Sequence, residues 1–142
     1  PYEAGEVDDD GYPDGLTTKL ALKKLMELKD QTKPFFLGVG FFKPHLPFNA
    51  PKKYWDLYDR NEIPISQNPE IPKNISNKSL QGSGEFNGYA LGDEKASLEA
   101  SVSDEYARKL NHAYYAVVSY IDHQVGIDTI GNFTESFPVN DP

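Results

Sequence analysis

A continuous apolar run that ends in a proline-bounded Lys-Pro-His motif constrains this chain more than any other feature. The run begins at Pro34, continues to Phe42, and leads directly into Lys43, Pro44 and His45. An apolar run of this length between prolines is typical of a strand buried on both faces, as in a parallel sheet. Ligands of open α/β sheets bind beyond the carboxyl ends of such strands. The sequence therefore predicts a functional loop directly after this strand.

Composition and charge narrow the class of protein. With 142 residues, 38% hydrophobic and 13% aromatic, the chain is long enough for one domain with one core. A net charge of −8 disfavours nucleic-acid binding through phosphate neutralisation. We expect neither a membrane span nor a signal peptide in these residues. Because there is no cysteine, disulfides, cysteine nucleophiles and thiolate metal sites are excluded within the chain.

Hydrophobic periodicity predicts helices on both sides of the strand. The first covers 16–29, with Asp14 as its N-cap and an apolar face. That face is expected to consist of Leu16, Leu20, Leu22, Leu25 and Met26. A short helix is predicted for 51–58, with Pro51 at its first position. Its aromatic residues, Tyr54, Trp55 and Tyr58, form either a ligand platform or a packing surface.

A longer amphipathic helix is predicted between Ser103, its N-cap, and Gly126. Its apolar stripe is expected to contain Tyr106, Leu110, Ala113, Tyr114, Val117, Ile121 and Val125. We interpret His112 and His123 as packing or surface residues, and expect Asp122 to face the stripe. Residues 59–102 are predicted to be a long loop region, and 127–142 show no pattern. The acidic residues 8–10 lack the spacing of a calcium loop and are interpreted as a solvated turn.

Lys43 and His45 are the residues of this chain best suited to chemistry. Flanking prolines stiffen the backbone around His45, and a histidine can transfer a proton near neutral pH. Alternate residues of an extended segment share a face, so both side chains are able to converge on one anion, such as a sulfate or phosphate. In the alternative interpretation, the Lys-Pro-His motif only shapes a loop.

Four segments in order resemble formylglycine-dependent sulfatases, in particular their iduronate-2-sulfatase-like branch. They are 12–15 (YPDG), 34–48 (PFFLGVGFFKPHLPF), 50–58 (APKKYWDLY) and 114–126 (YYAVVSYIDHQVG). The resemblance covers about 11–126, and it implies that 1–142 form the central part of a sulfatase catalytic domain. The implied fold class is α/β, an alkaline-phosphatase-like sandwich. This chain is expected to be an incomplete portion of it, with one buried strand, amphipathic helices and the long loop.

The resemblance also implies an activity and a site. Sulfatases of this kind hydrolyse sulfuric esters with a formylglycine nucleophile and a Ca²⁺ ion, and the expected substrate is a sulfated carbohydrate. By correspondence, His45 is catalytic, and His45 and Lys43 bind the substrate's sulfate. The implied location is periplasmic, secreted or lysosomal. The expected partners are the substrate and the remainder of the sulfatase domain, without nucleic acid or membrane.

Two parts of the family's catalytic site are missing from the sequence. The Cys/Ser-x-Pro/Ala-x-Arg motif that yields formylglycine is absent, as are the paired aspartates that begin the metal site. The sequence also diverges after Gly126. We therefore expect no metal ligands in this chain, and no activity from it alone. Two alternatives stay open: a non-catalytic carbohydrate- or anion-binding module around Tyr54, Trp55 and His45, and a phosphoesterase of the alkaline phosphatase superfamily.

Overall fold

The computed structural model describes residues 1–127 as a small α/β unit. In chain order its strands and helices are β1 (Tyr2–Gly5), α1 (Pro13–Lys29), β2 (Phe48–Pro51), α2 (Lys52–Trp55), α3 (Gly84–Tyr89) and α4 (Asp104–Gly126). Single 3-10 turns occur at Asp9–Gly11, Arg60–Glu62 and Asn77–Ser79. The segment 59–102 thus contains one short helix that periodicity did not predict. The predicted tail 127–142 lies, beyond Ile127, outside the described residues.

The sheet of the described residues is formed by β1 and β2, which pair in parallel with Ala4 opposite Ala50. The buried strand predicted within 34–42 is wrong, because this segment has no regular secondary structure and Phe36 is 96% exposed. A strand needs a neighbour for its amides and carbonyls. Within 1–127, β1 and β2 pair with each other, and the apolar segment joins neither of them.

The core lies where α4 packs on β2 and α2. Its buried members are Ala50, Tyr54, Trp55, Ala113, Ala116, Val117 and Tyr120. The predicted start of α4 is confirmed, because the Ser103 hydroxyl accepts a hydrogen bond from the Tyr106 amide at 3.2 Å. The buried face differs from the predicted stripe: Tyr114 and Val125 are exposed. Asp122, expected to face that stripe, is exposed too.

Helix α1 begins at Pro13 rather than after Asp14, and Tyr12 occupies the N-cap position. Contrary to its predicted amphipathic packing, Leu16, Leu20 and Met26 are exposed, whereas the small residues Gly15, Thr18 and Ala21 are buried. Small residues face inward because the backbone approaches very closely. A Cβ at Gly15 would lie 2.0 Å from the Asp9 carbonyl oxygen. In the part of the chain that the structure describes, no helix is long and apolar enough to cross a bilayer.

Candidate active site

The Lys-Pro-His loop connects the apolar segment to β2. The His45 amide donates to the Phe42 carbonyl oxygen at 3.0 Å and closes a turn, and both peptide bonds preceding Pro44 and Pro47 are cis. β2 starts at Phe48, directly after the loop. The loop therefore leads into a strand, whereas the sequence predicted that it follows one.

A buried carboxylate fixes the first half of this loop. Asp14 is only 1% exposed, and its two oxygens accept hydrogen bonds from the amides of Phe42 at 2.8 Å and Lys43 at 2.9 Å. Its position in the first turn of α1 also suits a negative charge, because the amino end of a helix is electropositive. From the sequence, Asp14 is predicted to cap the helix. Nothing local in the sequence indicated that its partners follow the apolar run.

Lys43 fixes the second half of the loop. Its ammonium donates to the carbonyl oxygens of Pro47 at 2.6 Å and His45 at 3.3 Å. Burial lowers the pKa of Lys43, and the charge of Asp14 opposes part of that shift. The structure thus brings the Lys43 ammonium to the backbone of His45 rather than to its ring. That Lys43 and His45 hold one sulfate together stays a prediction.

The His45 side chain projects from the anchored loop and is 65% exposed. Its Nδ1 lies 3.0 Å from the Leu46 carbonyl oxygen and 3.8 Å from a carboxylate oxygen of Glu85. A carbonyl oxygen can only accept, so the hydrogen-bond pattern assigns the hydrogen to Nδ1. Both of these contacts within the described residues involve Nδ1, and Nε2 takes part in neither.

The other two histidines have the structural roles that the sequence predicted. His112 is buried; its Nε2 lies 2.8 Å from the Trp55 carbonyl oxygen, and its Nδ1 accepts from Arg60 Nε at 3.2 Å. His123 is half-exposed, with Nε2 at 3.4 Å from a carboxylate oxygen of Asp9. These contacts are typical of packing and surface histidines.

The aromatic residues of α2 belong to the core. Tyr54 is 6% exposed and Trp55 is 5% exposed, so their rings are not available as a platform for a ligand. Trp55 packs edge-on against His112, with ring centroids 5.1 Å apart. Tyr54 packs against Tyr120 at 5.3 Å. Of the two interpretations for these rings, packing is the one that the structure supports.

Asp9 links the first 3-10 turn to α2, so the acidic segment 8–10 is more than a solvated turn. One carboxylate oxygen accepts from the Tyr54 hydroxyl at 2.9 Å and pairs with Lys53 Nζ at 2.7 Å. Burial favours the neutral acid, but the hydrogen bonds from Lys53 and Tyr54 outweigh it and lower the pKa of Asp9. The Tyr120 hydroxyl donates to the Asp9 carbonyl oxygen at 2.8 Å and accepts from the Gly15 amide at 2.7 Å.

The resemblance implies a Ca²⁺ ion for the whole catalytic domain, with its ligands expected outside this chain. Within 1–127, no three histidine, aspartate or glutamate side chains are grouped so that they could hold a metal ion. A hard cation such as Ca²⁺ needs several oxygen ligands at once. The described residues of this chain therefore provide a histidine on a fixed loop, but no metal centre.

Comparison with known proteins shows which protein family this chain is related to. Residues 1–127 match the sulfatase family model. The chain is 30% identical to the iduronate 2-sulfatases of Mus musculus and Homo sapiens over 89% of its length, and covers 23% of each of those proteins. It is 31% identical to the choline-sulfatase of Rhizobium meliloti over 78% of its length, covering 22% of that protein. Although it spans less than a quarter of these relatives, the chain belongs to the sulfatase family.

Proposed function

We propose that 1–142 are the central part of a sulfatase catalytic domain that hydrolyses sulfate esters of carbohydrates, and that His45 takes part in the reaction. The observation that carries this proposal is a histidine held on a loop whose backbone is fixed by a buried carboxylate and an ammonium group. Membership of the sulfatase family implies an alkaline-phosphatase-like α/β fold, and the described residues form a partial α/β unit.

The proposed role of His45 follows from its ring. When the bond between sulfur and the ester oxygen breaks, that oxygen keeps the electron pair and needs a proton to leave as an alcohol. A protonated imidazole can donate this proton from Nε2 while Nδ1–H stays bonded to the Leu46 carbonyl oxygen. The same Nε2–H can donate to a sulfate oxygen while the substrate binds. Lys43 supports the loop and places positive charge beside it.

Carbohydrate is the substrate class that we propose, on the strength of the two relatives named iduronate 2-sulfatase. Their alignments cover 89% of the chain, against 78% for the choline-sulfatase and 69% for the arylsulfatase of Clostridium perfringens. For the intact enzyme we propose a periplasmic, secreted or lysosomal location. We also propose that the remainder of the catalytic domain supplies the Ca²⁺ ligands and the formylglycine, neither of which is provided by the residues described here.

Neither alternative function has a specific observation in its favour. A carbohydrate-binding module around Tyr54 and Trp55 would need exposed rings, and both rings are buried in the core. A phosphoesterase would use a similar anion pocket. Turnover of a sulfate ester, compared with the phosphate ester of the same alcohol, separates that activity from a sulfatase.

The variant His45→Ala, made in the intact sulfatase that contains this segment, tests the proposal. We expect the kcat/KM for a sugar sulfate to fall about 100-fold, the scale of a positioned acid–base group. His123→Ala is the matched control, because His123 is a half-exposed histidine on α4, and it should change kcat/KM by less than about threefold. Wild-type turnover in the His45 variant would show that the Lys-Pro-His motif only shapes a loop and that His45 takes no part in the reaction.

A further inference from the structure

Helix α3 brings a carboxylate to the candidate catalytic histidine from a distant part of the sequence. Glu85, in the first turn of α3, is half-exposed and places an oxygen 3.8 Å from Nδ1 of His45. Periodicity gave no sign of α3, and neither motif spacing nor the family resemblance singled out Glu85. The contact between Glu85 and His45 is therefore evident from the structure and not from the sequence.

Two contacts hold α3 independently of the His45 loop. The Phe86 ring packs against Tyr106 at the buried start of α4, with ring centroids 6.2 Å apart. The Asn87 side chain donates to the Ala96 carbonyl oxygen and accepts from the Ala96 amide, both at 2.8 Å. Because these neighbours of Glu85 are held, the backbone from which its side chain extends is placed independently of the imidazole.

The groups around His45 determine how the Glu85 carboxylate acts on the imidazole ring. Nδ1 has two acceptors near it, the Leu46 carbonyl oxygen and the Glu85 carboxylate. The Lys43 ammonium lies 3.3 Å from the His45 carbonyl oxygen, on the backbone side, and the Asp14 carboxylate is bonded to the loop amides. Among the described residues, Glu85 is thus the acidic side chain that pairs with the ring itself. It lies on the Nδ1 edge, beside the bond to the Leu46 carbonyl oxygen, and its charge attracts that edge toward α3.

We propose that Glu85 is a positioning residue for sulfate-ester hydrolysis. It attracts the Nδ1 edge of the His45 ring toward α3 while the Nδ1–H stays bonded to the Leu46 carbonyl oxygen, so that a protonated ring presents Nε2–H to the ester oxygen. This inference rests on the proposed role of His45 and adds the residue that orients it. A half-exposed ion pair is weak in water, so the expected change on its removal is about two- to fivefold in rate.

The test compares Glu85→Gln with Glu85→Asp in the intact enzyme, on two substrates. A sugar sulfate has a poor leaving group that needs the proton, whereas a nitrophenyl sulfate has a good one that needs little help. For Glu85→Gln we expect kcat for the sugar sulfate to fall about two- to fivefold with little change in KM. The nitrophenyl sulfate rate should stay near wild type, and Glu85→Asp should recover most of the loss.

The matched control is Glu70→Gln, which removes the charge of an exposed carboxylate in the same long segment and should alter neither rate. The double variant His45→Ala/Glu85→Gln should be no slower than His45→Ala, because Glu85 acts through His45. An additional loss in the double variant, equal losses on both substrates, or a wild-type rate in Glu85→Gln would each overturn the inference. Full activity in His45→Ala would instead overturn the proposed function beneath it.

Discussion

At the scale of single residues, the candidate active site depends on a buried carboxylate in the first turn of α1. Asp14 has almost no exposed surface and uses both oxygens to hold the amides of Phe42 and Lys43. An ionised carboxylate can accept both hydrogen bonds, and each bond to a charged group contributes more than a neutral one. The position of His45, three residues after Phe42, is therefore fixed from the opposite side of the loop.

We predict that Asp14→Asn destabilises the intact enzyme by about 1–3 kcal/mol and also lowers its turnover. The asparagine oxygen can serve one of the two amides, while its NH₂ group would face the other amide, donor against donor. Thermal unfolding and kcat/KM, measured on the same preparation, check the two effects together.

Asp56→Asn is the control for that substitution. Asp56 is an exposed carboxylate on the first turn after α2, where it pairs with Lys52 at 2.5 Å. Surface pairs of this kind contribute little, so we expect a change below about 0.5 kcal/mol and normal turnover. Equal losses of stability and turnover in both variants would mean that the hydrogen bonds between Asp14 and the loop contribute no more than a surface ion pair.

At the scale of elements, the sequence predicts helices, whose signals are local, but misses strands that form only by pairing with a distant segment. α4 was predicted at its observed position because Ser103, the acidic first turn and the apolar spacing all lie within the helix itself. β1 and β2 were missed, because four-residue strands carry little pattern and each becomes a strand only through the other. The apolar segment 34–42 shows the reverse case: its sequence is typical of a strand, but the described residues offer it no neighbour.

The same distinction applies within the candidate site. His45 is predicted from its proline-bounded motif, which is contiguous in sequence. Asp14, Glu85 and Asp9 act through contacts between separate elements. No spacing rule relates such residues, so their roles follow from the geometry alone.

Asp9 provides a pH-dependent link between the first 3-10 turn and α2. Because its folded pKa is lowered, its contribution to stability is present above the unfolded value, near 3.8, and is lost as pH falls through the folded pKa. We predict that Asp9→Asn lowers the unfolding free energy by about 1–2 kcal/mol at neutral pH, and that the difference between wild type and variant shrinks as the pH falls below 3.8 and through the folded pKa. Melting temperatures across this pH range give the measurement.

Asp8→Asn provides the comparison, since Asp8 is an exposed carboxylate in the same acidic segment. Its melting temperature should follow wild type across the whole range. A difference in melting temperature between Asp9→Asn and wild type that stays constant as the pH falls far below 3.8 would show that Asp9 contributes by packing, and that its charge is irrelevant.

At the scale of the whole molecule, the described residues place their most apolar segment on the surface. Within 34–42, Phe36, Val39 and Phe42 are all exposed, and Leu16 and Leu20 of α1 are exposed as well. Exposed aromatic side chains on a segment without regular secondary structure favour association with another chain. The exposed apolar surface therefore bears on how residues 1–142 behave when they are produced alone.

We predict that residues 1–142, produced alone, hydrolyse no sulfate ester and self-associate through 34–42. The first result is expected because the formylglycine motif is absent and the described residues form no metal centre. The second follows from the 96% exposure of Phe36, so Phe36→Asp should shift the chain toward monomer in light scattering after gel filtration. Leu91→Asp, at another exposed apolar position, should leave the association unchanged. Sulfatase turnover by the isolated chain would contradict the first prediction. Association that Phe36→Asp does not reduce would contradict the second.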